Sequence, residues 1–251
     1  MVIHQADESV VEVSRSSARS AIVLVCEHAS IHIPEDLNDL GISPDAMRSH
    51  VAWDPGAMAV ARRISQNLDA VLVASTVSRL VYDCNRPPEA SDAIPTRSEA
   101  YDVPGNFGLT DDEKRARVSR YYAPFRERLA FEIARRSDPV IVTVHSFTPN
   151  YNGEKREVEI GILHDHDSTL ADAIMQFATG YDVRLNAPYG PEDGVTHTLK
   201  EHALKHGHQN DMIEVRNDLV ADEPTQTAMA KTLTSWITQA LESLGADACK
   251  A

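Results

Sequence analysis

Residues 21–26 read Ala21-Ile22-Val23-Leu24-Val25-Cys26, a run without a charged or amide side chain, and it passes directly into Glu27-His28. A continuous apolar run this short suits a β-strand covered on both faces. Two similar runs follow. Residues 140–144 (VIVTV) end on His145-Ser146, and residues 212–215 (MIEV) contain Glu214 and lead into Arg216. Shorter strands are expected over 70–74, 79–83, 158–163 and 181–185. Helical patterns separate them. Over 54–68, Asp54 can cap, Pro55 fits the first turn, and Ala57, Val60, Ala61, Ile64 and Leu68 recur at helical spacing. Thr110 and Glu113 form a capping box that opens a long helix to about residue 136, kinked at Pro124. Further helices are expected over 168–178, over 195–206 with Gly207 closing it, and over 228–244. Pro87, Pro88, Pro95 and Pro104 rule out regular structure over 84–109, and loops that long are often functional. This alternation predicts an α/β fold. The expected architecture is one three-layer αβα domain over 1–251 with a mixed, mostly parallel sheet, the first ~20 residues lying at its periphery.

Composition narrows the function classes. The chain has 251 residues, 42 % hydrophobic and 25 % charged, which is ordinary globular usage rather than that of a disordered chain. Lys and Arg total 24 against 38 Asp and Glu, a formal net charge of −14. Binding a phosphate backbone needs clustered positive charge, so a nucleic-acid partner is not expected. An anionic substrate would need a locally basic pocket. The early apolar run is far shorter than a bilayer span, and residues 1–20 hold no apolar secretory core, so no membrane partner is expected either. Cys26, Cys84 and Cys249 are too scattered for a disulfide framework or a zinc knuckle, which points to a reduced, cytoplasmic setting.

In open α/β sheets, ligands bind beyond the carboxyl ends of the strands, so the residues that end the strands carry the functional signal. Here they are His28, His145 and Glu214, with Asp54 just ahead of its helix. Two histidines, a carboxylate and a separate glutamate make up the parts of a catalytic zinc site. Each residue also has a plainer reading. A strand-end histidine can be an ordinary hydrogen-bonded loop residue, and Asp54 before Pro55 is a ready N-cap. Glu214 and Arg216 lie two apart, hence on one face of a strand, and could form a simple ion pair. His164, His166, His202, His206 and His208 read as surface residues of helix and loop. Arg79 and Arg86 flank one short segment and could clamp a carboxylate with their forked guanidinium groups, or could pair with acids such as Asp83.

The ordered set Cys26-Glu27-His28-Ala29-Ser30, Ile33-Pro34, Asp54-Pro55-Gly56-Ala57, Ser78-Arg79, Asn85-Arg86-Pro87, His145-Ser146-Phe147 and Ile213-Glu214-Val215-Arg216-Asn217-Asp218 resembles the N-formylglutamate amidohydrolase family. The resemblance covers about residues 20–220, and that family is similar in fold to the zinc carboxypeptidases. It implies a Zn2+ ion held by His28 and His145. The carboxypeptidase pattern expects a glutamate three residues after the first histidine, where this chain has Ile31, so Asp54 is taken as the third ligand. It further implies Glu214 as general base, Asn85 and Arg86 as the carboxylate-binding pair, and Arg79 and Arg216 as second substrate contacts. The expected activity is hydrolysis of a small N-acylated acidic substrate, with N-formyl-L-glutamate the first candidate. The alternatives are a related zinc deacylase or small peptidase, and a metal-free carboxylate-binding protein.

Overall fold

The structure is a computed structural model that describes residues 10–245; Cys249 lies outside them. In chain order its strands are β1 (Val11–Ser14), β2 (Ile22–Cys26), β3 (Val71–Ser75), a short hairpin β4 (Arg97–Ser98) and β5 (Tyr101–Asp102), then β6 (Val140–Phe147). A second short hairpin, β7 (Asn150–Tyr151) and β8 (Glu154–Lys155), precedes β9 (Ile160–Leu163), β10 (Val183–Leu185) and β11 (Asn210–Arg216). The helices are α1 (Pro44–Arg48), α2 (Ala57–Asn67), α3 (Asp111–Arg117), α4 (Ala123–Ala134), α5 (Thr169–Phe177), α6 (His197–His202) and α7 (Glu223–Ser243).

Seven strands form one mixed sheet in the order β1-β3-β2-β6-β11-β9-β10. Its centre is parallel: β3, β2, β6 and β11 run the same way. The β1–β3 and β11–β9 pairs are antiparallel. Every residue of β2, β3 and β6 is buried, as the apolar runs require of strands covered on both sides. Alternation divides them between two layers. Ile22 and Leu24 pack with α2, α5 and α7, while Val23 and Val25 pack with Phe125, Leu129 and Ile133 of α4. Fully burying one such side chain contributes about 1.5–3 kcal/mol, so the central strands form a rigid platform for whatever projects from their ends. The expected three-layer α/β fold is therefore the observed one.

Several local expectations change. Residues 79–83 are not a strand but a run of turns. The Ser78 hydroxyl donates to the Ala52 carbonyl and accepts from the Leu80 N–H, and the Val81 N–H donates to the Ser78 carbonyl. Such local bonds offer the backbone an alternative to a ladder. The long helix after Thr110 begins with the expected capping box and passes from α3 to α4 through a π-helical turn over Val118–Tyr122, in which the Ala123 N–H donates to the Val118 carbonyl. The wider turn falls directly ahead of Pro124, which has no N–H to give to the preceding turn. Strand β6 runs on through His145 to Phe147, so His145 is anchored within the sheet and not just after it. His202 is buried in α6, not on the surface. β1, absent from the sequence reading, adds an antiparallel edge strand.

Candidate metal centre and its cavity

Three segments converge at the carboxyl end of the central strands. The turn after β2 carries Glu27 and His28, the segment before α2 carries Asp54, and β6 carries His145. Gly56 makes the tight approach to α2 possible. Its φ is +83°, and a Cβ there would lie 2.6 Å from the Val220 carbonyl oxygen. Gly56 itself is the N-cap of α2, with no side-chain cap. Asp54 is thereby released from capping. Its N–H donates to the His28 carbonyl at 2.9 Å, and its side chain points into the cluster.

Asp54 Oδ2 lies 3.3 Å from His28 Nδ1 and 2.9 Å from His145 Nδ1, and it accepts from the Ser146 N–H at 3.3 Å. One ligand atom from each of His28, Asp54 and His145 lies within 4.8 Å of the others, and all three residues are buried. A tetrahedral ion with donors at about 2.0–2.2 Å holds them roughly 3.3–3.6 Å apart. The cluster could bind a metal once its donors draw somewhat closer together. The far nitrogen of each ring is also held by a carboxylate. His28 Nε2 is 2.7 Å from Asp83 Oδ1. His145 Nε2 is 3.1 Å from Glu27 Oε2, close enough for an ion pair although poorly aligned as a hydrogen bond. Carboxylates in this outer position fix the ring orientation of metal-binding histidines.

The charge pattern is dense. Burial pulls the His28 and His145 pKa values down, yet both end above the ordinary histidine value. Asp83 and Asp54 outweigh burial and the nearby Arg79 for His28, and Glu27 and Asp54 do so for His145. Asp54 and Asp83 are pushed the other way: burial would raise them, but the imidazoles hold both below the usual carboxylate range, helped at Asp83 by Arg79. Glu214 behaves differently. Burial raises it to about 7, with His145 opposing and Asp54 adding to the rise. Its Cα is paired with that of His145 across β11 and β6, and Oε2 has no hydrogen-bond partner. A buried carboxyl poised near neutrality and aimed into a cleft is suited to moving protons.

A cavity of about 370 Å³ opens over this cluster. Arg79, Asn85, Arg86 and Glu214 line it together with the three candidate ligands. Arg79 is 2.8 Å from Asp83 and 3.6 Å from Asp54. Asn85 uses its amide to donate to the Val195 carbonyl and to accept from the Thr198 N–H, which ties the loop to α6. Arg86 Nε pairs with Asp92 at 2.9 Å. Arg216 is not among the lining residues. Its guanidinium bonds Asp218 and the carbonyls of Arg156 and Glu157, with Glu159 at 3.6 Å. Glu27 and Asp83 were missed as parts of the centre. Glu27 stands next to His28 in sequence, a signal that could have been read; Asp83 becomes a histidine partner only because residues 79–83 are a turn.

The family model for N-formylglutamate amidohydrolase matches residues 20–221. The chain belongs to that family. Membership in this amidohydrolase family carries with it amide hydrolysis of a small molecule as the general activity. The crystal structure of a gene product from Agrobacterium tumefaciens is similar to this family member at 52 % identity, with a TM-score of 0.94, covering 96 % of this chain and 98 % of that one. An N-formylglutamate amidohydrolase from Ralstonia eutropha shares the fold at 17 % identity, with a TM-score of 0.67 and coverage of 94 % and 98 %. No curated protein matches the sequence. Among the described residues, no helix is long and apolar enough to cross a membrane.

Proposed function

We propose that this family member is a zinc-dependent, cytoplasmic deformylase that hydrolyses N-formyl-L-glutamate, or a close N-acylated acidic relative, to the acid and the free amino acid. His28, Asp54 and His145 would hold the ion, a donor set of the two-histidine, one-carboxylate kind found in catalytic zinc sites. Zinc bound there supplies a Lewis acid that acidifies water and polarises the amide carbonyl. Glu214, with its carboxyl raised to about 7, takes a proton from the attacking water and returns it to the leaving amine nitrogen as the carbon–nitrogen bond breaks. Arg79 and Arg86 add positive charge to the wall that receives the acidic substrate. Asn85 holds that wall to α6.

The observation that carries this reading is the placement of Glu214. A buried carboxyl oxygen without a partner faces the same cavity as the three-residue cluster, one strand away from His145. Purified protein should contain about one zinc per chain and release formate from N-formyl-L-glutamate. Glu214→Gln should keep its zinc while kcat falls roughly 100-fold or more. Full activity in Glu214→Gln would remove the base, and a metal-free but active enzyme would remove the zinc.

A further inference from the structure

The arginines around the cavity differ in how their charge is met. Arg79 pairs with Asp83 and Asp54, Arg86 with Asp92, and Arg97, also on the cavity wall, with Asp102. Arg156, which packs behind the cavity wall and is not itself a lining residue, does not follow this pattern. Among the described residues no carboxylate lies within ion-pair distance of it. Its guanidinium carbon instead lies 5.5, 4.5 and 4.7 Å from the ring centres of Phe147, Tyr151 and Tyr189, all three of which line the cavity. Its Nη1 donates to the Tyr189 hydroxyl at 3.0 Å and, more weakly, to the Thr148 carbonyl at 3.4 Å.

Three of the hydroxyls on the cavity wall differ in the same way. Ser146 donates its proton to the Pro55 carbonyl and Thr148 donates to the Asn150 carbonyl. The Tyr189 oxygen accepts from Arg156, which leaves its own proton available. Burial, then the negative charge of Glu214, raise the Tyr189 pKa to about 12, so the hydroxyl stays protonated and remains a donor. An aromatic cage of this kind keeps an arginine partly desolvated, where its charge acts over distance more strongly than in water. The arginines that line the cavity are already matched by acids, so the unmatched charge held behind Phe147, Tyr151 and Tyr189 marks the stretch of wall to which an anion is drawn.

We propose that Arg156 and Tyr189 together recognise a carboxylate of the substrate. Arg156 supplies the charge and orients the tyrosine hydroxyl, and Tyr189 donates a hydrogen bond to a carboxylate oxygen. This rests on the proposed deformylase reading and assigns its acid specificity to residues other than Asn85 and Arg86. Hydrogen bonds to charged groups are worth more than neutral ones, and an interaction made in both ground and transition states raises KM more than it lowers kcat.

The test uses three substrates: N-formyl-L-glutamate, N-formyl-L-glutamine, which lacks the γ-carboxylate, and N-formyl-4-aminobutyrate, which lacks the α-carboxylate. Arg156→Met should raise KM for N-formyl-L-glutamate about tenfold or more, and Tyr189→Phe about three- to tenfold, with kcat little changed. For the analogue lacking the recognised carboxylate, both variants should match wild type, which identifies the carboxylate. KM values that change equally for all three substrates, or for none, would overturn the assignment. Arg156→Lys, which keeps charge without the fork, serves if Arg156→Met fails to fold. Glutarate binding by calorimetry separates this inference from the catalytic reading. Wild type that fails to turn over N-formyl-L-glutamate yet binds glutarate more tightly than the Arg156 variants would defeat the deformylase reading and uphold the carboxylate site. Equal glutarate binding by wild type and variants would defeat the site whether or not wild type is active.

Discussion

Around His28 and His145, buried carboxylates and imidazoles alternate: Asp83, His28, Asp54, His145 and Glu27 follow one another with gaps of 2.7–3.3 Å. Around Arg156, behind the aromatic wall of the same cavity, the positive charge meets three rings, a hydroxyl and a carbonyl. The first arrangement suits a resident ion. Five groups fix one another's geometry, and removing one leaves a buried neighbour short of a partner. The second suits a visitor. Rings hold the guanidinium in place without neutralising it, so its charge remains for a ligand that comes and goes. One cavity thus combines a self-satisfied corner with an unsatisfied wall.

The largest effect should come from breaking the corner. His28→Ala or His145→Ala should lower bound zinc to a small fraction of wild type and reduce activity to background, with the far-ultraviolet dichroism unchanged. His28 follows β2 and His145 lies within β6, but both side chains take little part in the apolar layers, so the fold should survive. Metal content and formate release are measured on the same preparation. Either variant keeping full zinc and near-normal turnover would mean that the alternating carboxylates and imidazoles form a structural network and nothing more.

The outer carboxylates should matter less, and unequally. Losing a carboxylate behind a metal-binding histidine typically costs 10–100-fold in metal affinity. Glu27→Gln should fall in that range with little loss of stability, since His145 is its main partner. Asp83→Asn should be worse for the fold at a similar cost in affinity. Asp83 also receives Arg79 at 2.8 Å and the Asn85 N–H at 2.9 Å. Competition with a chelator gives the affinities and thermal melting gives the stabilities. Equal stability loss in the two variants would contradict the contrast.

The parts that could be read from the chain are those where local pattern and tertiary structure coincide. The runs at 21–26 and 140–144 are strands because burial on both faces needs unbroken apolar residues, and the ends of such strands are where His28 and His145 had to lie. Asp54 was legible only as a choice between cap and ligand. Gly56 takes over the N-cap position and leaves the Asp54 carboxylate free to meet the two imidazoles. Residues 79–83 alternate like a strand, but the Ser78 hydroxyl outcompetes a ladder, and that turn brings Asp83 to His28. Arg156 and Tyr189 lie 33 residues apart with no periodic relation, so no spacing argument could join them.

A smaller effect is expected at Arg86, where comparison with the aromatic wall is sharpest. Arg86 lines the cavity, but Asp92 already holds its Nε. Arg86→Lys should therefore raise KM for N-formyl-L-glutamate by only about two- to fivefold, less than the loss of Arg156, because a half-neutralised cation has less to offer an incoming carboxylate. A KM increase larger than that of the Arg156 variants would place the main anion contact back on the Asn85-Arg86 segment.

The smallest effect concerns Asp211, which lies beyond the cavity on β11 and contrasts with the corner in its own way. It is as deeply buried as the acids beside His28, but among the described residues no cation pairs with it, and neither oxygen makes a well-formed hydrogen bond. Burial pushes its pKa well above the ordinary value, with the Met212 N–H only partly offsetting the rise. The folded protein therefore retains a proton that the unfolded chain releases above about pH 4. Wherever the folded state binds more protons, stability falls as pH rises, by at most about 1.4 kcal/mol per pH unit for one group. Asp211→Asn keeps the shape and removes the titration. Wild type and variant should melt alike near pH 4, and the variant should melt higher by a few degrees at pH 8, since about 1 kcal/mol moves the melting point of a domain this size by roughly 2–4 °C. Melting curves that run parallel across that range would show that Asp211 is ionised in the fold, and that some partner compensates its charge as Arg79 compensates Asp83.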